Sequence, residues 1–155
     1  MCRGLDSLPV TCLERAKELK ALLNVDEPLR WEESFDKLLS SQNGLCLFRA
    51  FLVSEFSEEN IAFYLACQDY QATKPSKQAT KAKKIYDEFI GCDAPREVNL
   101  DHVTKAITKE NMEHPRQSCF DLAQAKIYTL MEKDCYPRFL KSSMYLEVSR
   151  KAKRG

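Results

Sequence analysis

Residues 55–70 of this chain read EFSEENIAFYLACQDY and have the pattern of a buried helix. Ser57 is a good N-cap residue and is followed by two glutamates, which a helix N-terminus favours, so we expect a helix to start at Ser57. From Ile61 onward, apolar residues fall on two faces at once, which predicts a helix covered on most sides. Its first turn is instead rich in hydrogen-bonding groups next to Phe56. The sequence therefore predicts a polar binding surface at the start of a rigid central helix.

The composition indicates one helical domain with short tails. A chain of 155 residues can bury one full core and is short for two domains. It contains only 4 glycines, which argues against a sheet-rich fold with many tight turns. With 24 Lys and Arg against 23 Asp and Glu, the chain has no overall positive field to attract nucleic acid. We expect an all-α fold and no nucleic-acid partner.

The cysteines favour a reduced, cytoplasmic protein. There are 7 of them, an odd number, and no C-x-x-C pair with matching histidines, so neither a disulfide framework nor a zinc site is supported. No leader or membrane-spanning stretch is evident. His102 and His114 are isolated, and no phosphate-binding glycine loop occurs, so we expect no metal, no cofactor and no catalytic chemistry. A cysteine enzyme using Cys67 stays open as an alternative, although this thiol lies on a buried face where cysteines are usually inert.

Residues 1–27 stand apart from the rest of the chain. A capping box begins at Thr11, and an amphipathic helix is predicted from there to Asn24. Two interpretations stay open. The helix lies on an anionic membrane surface, with Cys2 and Cys12 available for palmitoylation, or it packs on the domain.

The sequence predicts two helices before the central one and a loop after it. The first opens at Asp26-Glu27-Pro28, because proline is tolerated in a first turn, and closes near Gly44. The second, residues 45–52, leads into the central helix. Residues 73–76 are the predicted loop. The next helix ends at Gly91.

The last third of the chain predicts two more helices. Asp101 is the N-cap of a short one whose apolar residues are Val103 and Ile107. A long one starts at Ser118, and Tyr136-Pro137 breaks it. The chain ends in a basic tail.

Three polar residues lie where a helical core does not require them. Asp134 falls at a helix C-terminus, where the dipole disfavours a carboxylate, and Arg138 lies four residues on and can reach back to it. From the residues alone, a purely structural ion pair is the favoured explanation. Asn99 either caps a turn or is an exposed amide kept for a partner.

Six separated motifs occur along the chain. Besides S-E-E-N in the central stretch, they are G-L-x-x-F-x-x-F-L at Gly44–Leu52, A-K-K-I-Y-x-x-F-I at Ala82–Ile90, A-P-R-E-V-N-L-D at Ala94–Asp101, F-D-L-A-Q at Phe120–Gln124 and M-E-K-D-C-Y-P-R-F-L-K-S at Met131–Ser142. Together they resemble the regulator of G-protein signalling (RGS) domain, and the resemblance covers Trp31 to Tyr145. It implies an all-α array of about nine helices in two subdomains. We expect a membrane-targeting segment (1–27), the RGS domain (28–148) and a basic tail (149–155).

The resemblance implies a GTPase activator for heterotrimeric G-protein α subunits. Such a protein binds the Gα switch regions in their transition-state conformation, and the catalytic Gln and Arg belong to Gα. We expect a monomer that binds GTP-bound Gα of the Gi or Gq class and terminates receptor signalling. It would be cytoplasmic and peripheral at the anionic inner plasma membrane. The alternative is a helical scaffold or adaptor that binds Gα or membrane without accelerating hydrolysis.

The resemblance also assigns site residues. Asn99 would brace the Gα glutamine, and Arg138 would orient Asp134. Cys135 stands where serine is common and replaces a hydroxyl with a weak thiol donor; Ala62, Tyr64 and Gln68 depart from the family pattern away from the contact surface. Cys2, if exposed by loss of Met1, resembles an oxygen-sensitive degradation signal. The implied Gα-binding residues are Phe56, Ser57, Glu59, Asn60, Asn99, Asp101, Leu130, Asp134, Cys135 and Arg138, and the lipidation candidates are Cys2, Cys12 and Cys67.

Overall fold

The computed structural model describes residues 27–154, with side chains up to residue 150, and every regular element in that range is helical. The all-α prediction is therefore confirmed. Residues 1–26, with the predicted amphipathic helix, Cys2 and Cys12, lie outside the described residues. The elements are α1 (Glu27–Arg30), α2 (Phe35–Ser40), α3 (Gln42–Ser54), α4 (Glu59–Gln71), α5 (Pro75–Phe89), α6 (His102–Asn111), α7 (Asp121–Leu130), a π-helical turn (Met131–Cys135), α8 (Tyr136–Lys141) and α9 (Ser143–Arg154).

The helices form two compact units. The first contains residues 27–58 and 132–154, and the second is Glu59–Met131. Among residues 27–154, no helix combines the length and the apolar character needed to cross a lipid bilayer.

An aromatic cluster forms the core of the first unit. Phe48 of α3 packs edge-on against Phe35 and Phe139, with ring centroids 5.5 Å apart in both pairs. This is a favoured arrangement of aromatic rings. Trp31 and Tyr145 extend the cluster, with centroids 6.3 Å apart. The cluster thereby ties the first described helices to the last ones.

The central helix α4 organises the core of the second unit. Phe63 packs against Phe89 of α5 at 5.5 Å and against Phe120, just before α7, at 6.3 Å. Tyr70 stacks edge-on against Phe120, and its hydroxyl donates to the Arg116 carbonyl oxygen at 2.5 Å. The prediction that this helix is buried on most sides is confirmed.

α4 begins two residues later than predicted. Residues 55–58 form a turn, and the helix starts at Glu59. The Ser57 N–H donates to the Leu52 carbonyl oxygen at 2.9 Å, so its backbone still belongs to the end of α3. The Ser57 hydroxyl is buried and has no hydrogen-bond partner within the described part of the chain. The predicted N-cap at Ser57 is therefore wrong.

The single helix predicted to close near Gly44 is broken. α1 ends at Arg30, and Ser34 then caps α2 by accepting a backbone N–H at 3.1 Å. Ser41 caps α3 by accepting from the Gly44 N–H at 3.0 Å. Two serine caps in close succession each favour a new helix start, so Gly44 lies inside a first turn and does not end a helix.

Pro75, predicted to lie in a loop, begins a helix instead, whereas Pro137 lies at a helix boundary as predicted. Pro75 is the first residue of α5, so the predicted loop is shorter. Pro137 lies in the first turn of α8, directly after the π-helical turn. The missing N–H of proline costs nothing there, because first-turn N–H groups have no partner within the helix. At the other end, the α9 backbone continues through the basic tail to Arg154.

The apolar residues of α6 face outward, contrary to the predicted pattern. Asp101 is the N-cap, as predicted, and accepts from the Thr104 N–H at 3.0 Å. The buried residues are Thr104 and Thr108, whereas Val103 is 66% exposed. The Thr104 hydroxyl donates to Asp101, and the Thr108 hydroxyl donates to the Thr104 carbonyl. The threonine face can be buried because its hydroxyls are satisfied within the helix.

Candidate functional site

A group of charged side chains surrounds Arg138 in the first unit. The Arg138 Nε donates to Asp134 Oδ1 at 3.2 Å, and Nη1 donates to Glu55. Nη2 lies 3.7 Å from the Cys135 sulfur. The guanidinium carbon is 6.0 Å from the centre of the Phe51 ring. We call Glu55, Asp134, Cys135 and Arg138 the Arg138 cluster.

Three of the four cluster residues come from two adjoining helical segments, and Glu55 comes from the turn after α3. Asp134 and Cys135 lie in the π-helical turn, and Arg138 lies in α8. Turns of this kind are frequent at functional sites. The predicted contact from Arg138 back to Asp134 is confirmed. The Arg138 side chain is 43% exposed, so this pair adds little stability and leaves the guanidinium accessible to a partner.

The cluster has one fixed positive charge. Hydrogen bonds to Asp134 and Glu55 raise the pKa of the Arg138 guanidinium above its ordinary value. Burial raises the pKa of the Cys135 thiol, which is neutral at physiological pH. The structure places Cys135 in a buried position beside the guanidinium, where sulfur is only a weak hydrogen-bond acceptor.

The turn at residues 55–58, which we call the Phe56 turn, displays an aromatic ring. Phe56 is 93% exposed and has a φ of 60°, a left-handed conformation that is uncommon outside glycine. Its N–H donates to the Val53 carbonyl oxygen at 3.1 Å. Glu55 belongs both to this turn and to the Arg138 cluster. The turn and the cluster are therefore joined through Glu55.

Sequence reasoning missed two residues that support these features. Glu55 completes the Arg138 cluster, and Arg49 pairs with Glu58 of the Phe56 turn at 2.6 Å. A signal for Arg49 was present, because it is a lone cation inside the apolar run of residues 45–52. A buried charge requires a partner, so that run predicts a nearby carboxylate.

In the second unit, the connection at residues 91–101 holds Asn99 in an exposed position. The Val98 side chain is buried, and its N–H donates to the Phe89 carbonyl oxygen at 3.0 Å. The Arg96 N–H donates to the Glu88 carbonyl oxygen at 3.1 Å. The Asn99 side chain has no hydrogen-bond partner among residues 27–154. Of the two interpretations of Asn99, the geometry favours the exposed amide over the turn cap.

The other predicted site residues of the second unit lie at helix ends. Asp101 is exposed at the start of α6, and hydrogen bonds from the Thr104 hydroxyl and N–H lower the pKa of its carboxyl group. Glu59 and Asn60 form the first turn of α4, with Asn60 buried and Glu59 half-buried. Leu130 is the half-buried last residue of α7.

The described residues hold no evident catalytic centre. Burial, followed by the charge of Asp121, raises the pKa of the Cys67 thiol well above its ordinary value, so it is a neutral core residue at physiological pH. No group of His, Cys, Asp and Glu within residues 27–154 is arranged to hold a metal ion. The exposed polar and aromatic groups of the Phe56 turn, the Arg138 cluster and Asn99 are therefore the candidate functional residues.

Comparison with known proteins points to one family. A profile described as "Regulator of G protein signaling domain" matches residues 34–148. Regulator of G-protein signaling 5 from Sus scrofa is 48% identical, over 95% of this chain and 98% of that protein. Regulator of G-protein signaling 16 from Mus musculus is 44% identical, over 98% of this chain and 91% of that protein. Each match therefore covers nearly the whole of this chain and nearly the whole of the relative.

Proposed function

The chain belongs to the regulator of G-protein signalling family, and from this premise we propose which of its residues carry the activity. Members of the family accelerate GTP hydrolysis by the α subunits of heterotrimeric G proteins. This chain is a GTPase activator of that kind, and its partner is a Gα subunit. It thereby acts in G-protein signalling.

We propose that both units contribute residues to Gα binding. On the first unit these are Phe56 and Ser57 of the Phe56 turn, together with the Arg138 cluster. On the second unit they are Glu59, Asn60, Asn99, Asp101 and Leu130. The observation that carries the assignment is Asn99, because its connection is anchored on both sides while its amide is exposed and unpartnered. An amide held in this way loses little conformational freedom when it binds.

The chain accelerates hydrolysis by binding alone, without catalytic chemistry of its own. A tenfold acceleration requires about 1.4 kcal/mol of tighter binding to the transition state than to the ground state. A hydrogen bond between neutral groups contributes about 0.5–1.5 kcal/mol, and leaving one partner buried and unpaired costs about 1–3 kcal/mol, which is sufficient. Asn99 supplies such a bond to the Gα glutamine or the switch backbone, and Arg138 holds Asp134 for a switch side chain.

Single-turnover GTP hydrolysis by a Gi-class Gα tests this assignment. We expect the parent protein to accelerate hydrolysis and Asn99→Ala to lose tenfold or more of that acceleration, because it lacks this hydrogen bond. Gln68→Ala, which removes an exposed amide from α4, is the matched control and is expected to retain the parent acceleration. Equal acceleration by Asn99→Ala and the parent would contradict the role of Asn99.

The scaffold hypothesis makes a different prediction in the same experiment. A scaffold binds Gα loaded with a transition-state mimic but leaves the hydrolysis rate unchanged. In that case Cys135 is the first residue to replace, with serine, because its sulfur lies beside the guanidinium of Arg138.

We further propose that the protein acts as a monomer on Gα of the Gi or Gq class at the cytoplasmic face of the plasma membrane. Palmitoylation of Cys2 and Cys12 would supply two lipid anchors, which stable attachment requires. Cys67 is fully buried, so its lipidation requires the second unit to open. Metabolic labelling of Cys2→Ser and Cys12→Ser variants with a palmitate analogue, combined with cell fractionation, tests this.

A further inference from the structure

Arg49 is the one charged side chain that is fully buried among the described residues. It lies in α3 between apolar neighbours, and its relative exposure is 0%. Its Nε and Nη2 donate to Glu58 Oε2 at 3.1 and 2.6 Å. Glu58 is the last residue of the Phe56 turn, directly before α4. The buried cation is therefore connected to the segment that displays Phe56.

Stability alone is a poor explanation for this pair. A buried ion pair is often no more stable than apolar side chains of similar volume, because both charges must be desolvated. The pair does fix the position of one carboxylate, through two donors on a single guanidinium. What Arg49 contributes beyond packing is thus the placement of Glu58.

The Phe56 turn requires such placement. Phe56 has a left-handed backbone, which a non-glycine residue keeps only when its surroundings hold it there. The two glutamates at the ends of the turn are each bound by an arginine: Glu55 by Arg138 and Glu58 by Arg49. Only Arg138 is exposed enough to contact a partner directly.

We propose that Arg49 is a positioning residue, which acts through Glu58 to hold the Phe56 turn in its Gα-binding conformation. The proposal rests on the proposed Gα-binding role of that turn. Without the pair, the turn spends only part of its time in the binding conformation, and the apparent Kd rises in inverse proportion to that fraction. The acceleration at saturating concentration stays the same, because Arg49 contacts neither Gα nor the nucleotide.

The double variant Arg49→Met/Glu58→Leu separates positioning from stability, since it removes both charges and leaves no unpaired one buried. In single-turnover GTP hydrolysis, we expect the concentration for half-maximal acceleration to rise about tenfold, as for a turn that is competent one-tenth of the time. Thermal unfolding is expected to match the parent. In amide hydrogen exchange, the Ser57 N–H is expected to lose protection. A folded double variant with parent half-maximal concentration overturns the proposal.

Two further variants complete the test. Lys37→Met/Glu33→Leu removes an exposed pair from the same unit and is the matched control, expected to behave as the parent. If the double variant fails to fold, Arg49→Lys replaces it. The lysine ammonium donates from a single nitrogen atom, so it cannot reproduce the two contacts that Nε and Nη2 of Arg49 make with Glu58. We then expect at least a threefold rise in the half-maximal concentration, and an unchanged value overturns the proposal. Failure of the parent to accelerate hydrolysis would instead contradict the proposed function.

Discussion

At the scale of single residues, Arg138 and Arg49 of the first unit differ in burial and therefore in what they can contact. Arg138 is partly exposed, holds Asp134 and Glu55, and is free to contact a partner. Arg49 is enclosed and pairs with Glu58. In the roles proposed above, the same guanidinium chemistry serves recognition at Arg138 and preorganisation at Arg49.

Asp101 gives a pH-dependent contribution to stability. Thr104 hydrogen bonds lower the pKa of its carboxyl group in the folded state, so its charged form is favoured by folding. The contribution is full above the unfolded pKa of about 4 and is lost as pH falls through the lower folded value. Asp101→Asn keeps an N-cap side chain but does not titrate.

We therefore expect the parent to be more stable than Asp101→Asn from pH 7 down to about pH 5, and this difference to shrink below about pH 4. Denaturant unfolding of both proteins at a series of pH values measures it. Glu113→Gln, on an exposed side chain after α6, is the control for a general loss of charge. A difference that persists undiminished to pH 2 would show that the ionised Asp101 cap does not contribute.

At the scale of elements, the start of α3 depends on the absence of a side chain at Gly44. A Cβ there would lie 2.6 Å from the Leu38 carbonyl oxygen and 2.9 Å from the Trp31 ring. Because the nearest atom belongs to the backbone, relief requires α2 and α3 to move apart. We expect Gly44→Ala to destabilise the protein by about 1–3 kcal/mol, as overpacked cores do.

Gly91→Ala is the matched control for Gly44. Its Cβ would meet the Tyr86 side chain at 3.2 Å, and a ring can shift where a backbone carbonyl cannot. We expect a change within about 0.5 kcal/mol, measured for both variants by denaturant unfolding. If the two alanines cost the same, the close approach of α2 to α3 does not explain the glycine at position 44.

Sequence periodicity predicted which segments are helical but not where they begin. α4 is correctly predicted as buried because its apolar residues cover two faces. Its start is wrong because Ser57 lies in a turn that α3 and Arg49 hold in place, and that contact is not visible locally. In α6 the hydroxyls of Thr104 and Thr108 bond within the helix, so threonine is buried and Val103 is exposed. Hydrophobicity alone could not indicate that reversal.

At the scale of the whole molecule, the site was harder to predict than the fold. Asp134, Arg138 and Asn99 were conspicuous because each is a polar group that its helix or turn does not explain. Glu55 was not conspicuous, because an acidic residue between two helices is usually exposed to solvent and needs no further explanation. Its role depends on Arg138, which lies far along the chain but in the same unit. Contacts of that kind require the folded chain.

The first unit is assembled from both ends of the described chain, so its boundary can be tested by shortening. The family profile starts at residue 34, yet Trp31 is 1% exposed and packs on Tyr145. The Tyr145 hydroxyl donates to the Pro28 carbonyl oxygen at 2.8 Å, and the Tyr136 hydroxyl donates to that of Trp31. A fragment that begins at residue 34 loses a buried tryptophan and both acceptors.

We expect the fragment of residues 34–154 to be less stable than that of residues 27–154 by at least 3 kcal/mol. Loss of a buried tryptophan alone costs about 3–5 kcal/mol. Because small domains have only about 5–15 kcal/mol of stability, the shorter fragment is expected to be partly unfolded at 37 °C and to lose Gα activation with its fold. Denaturant unfolding and single-turnover hydrolysis of both fragments measure the difference. Equal stability would place the domain boundary at residue 34, whereas the expected loss supports the boundary near residue 28 that the sequence predicted.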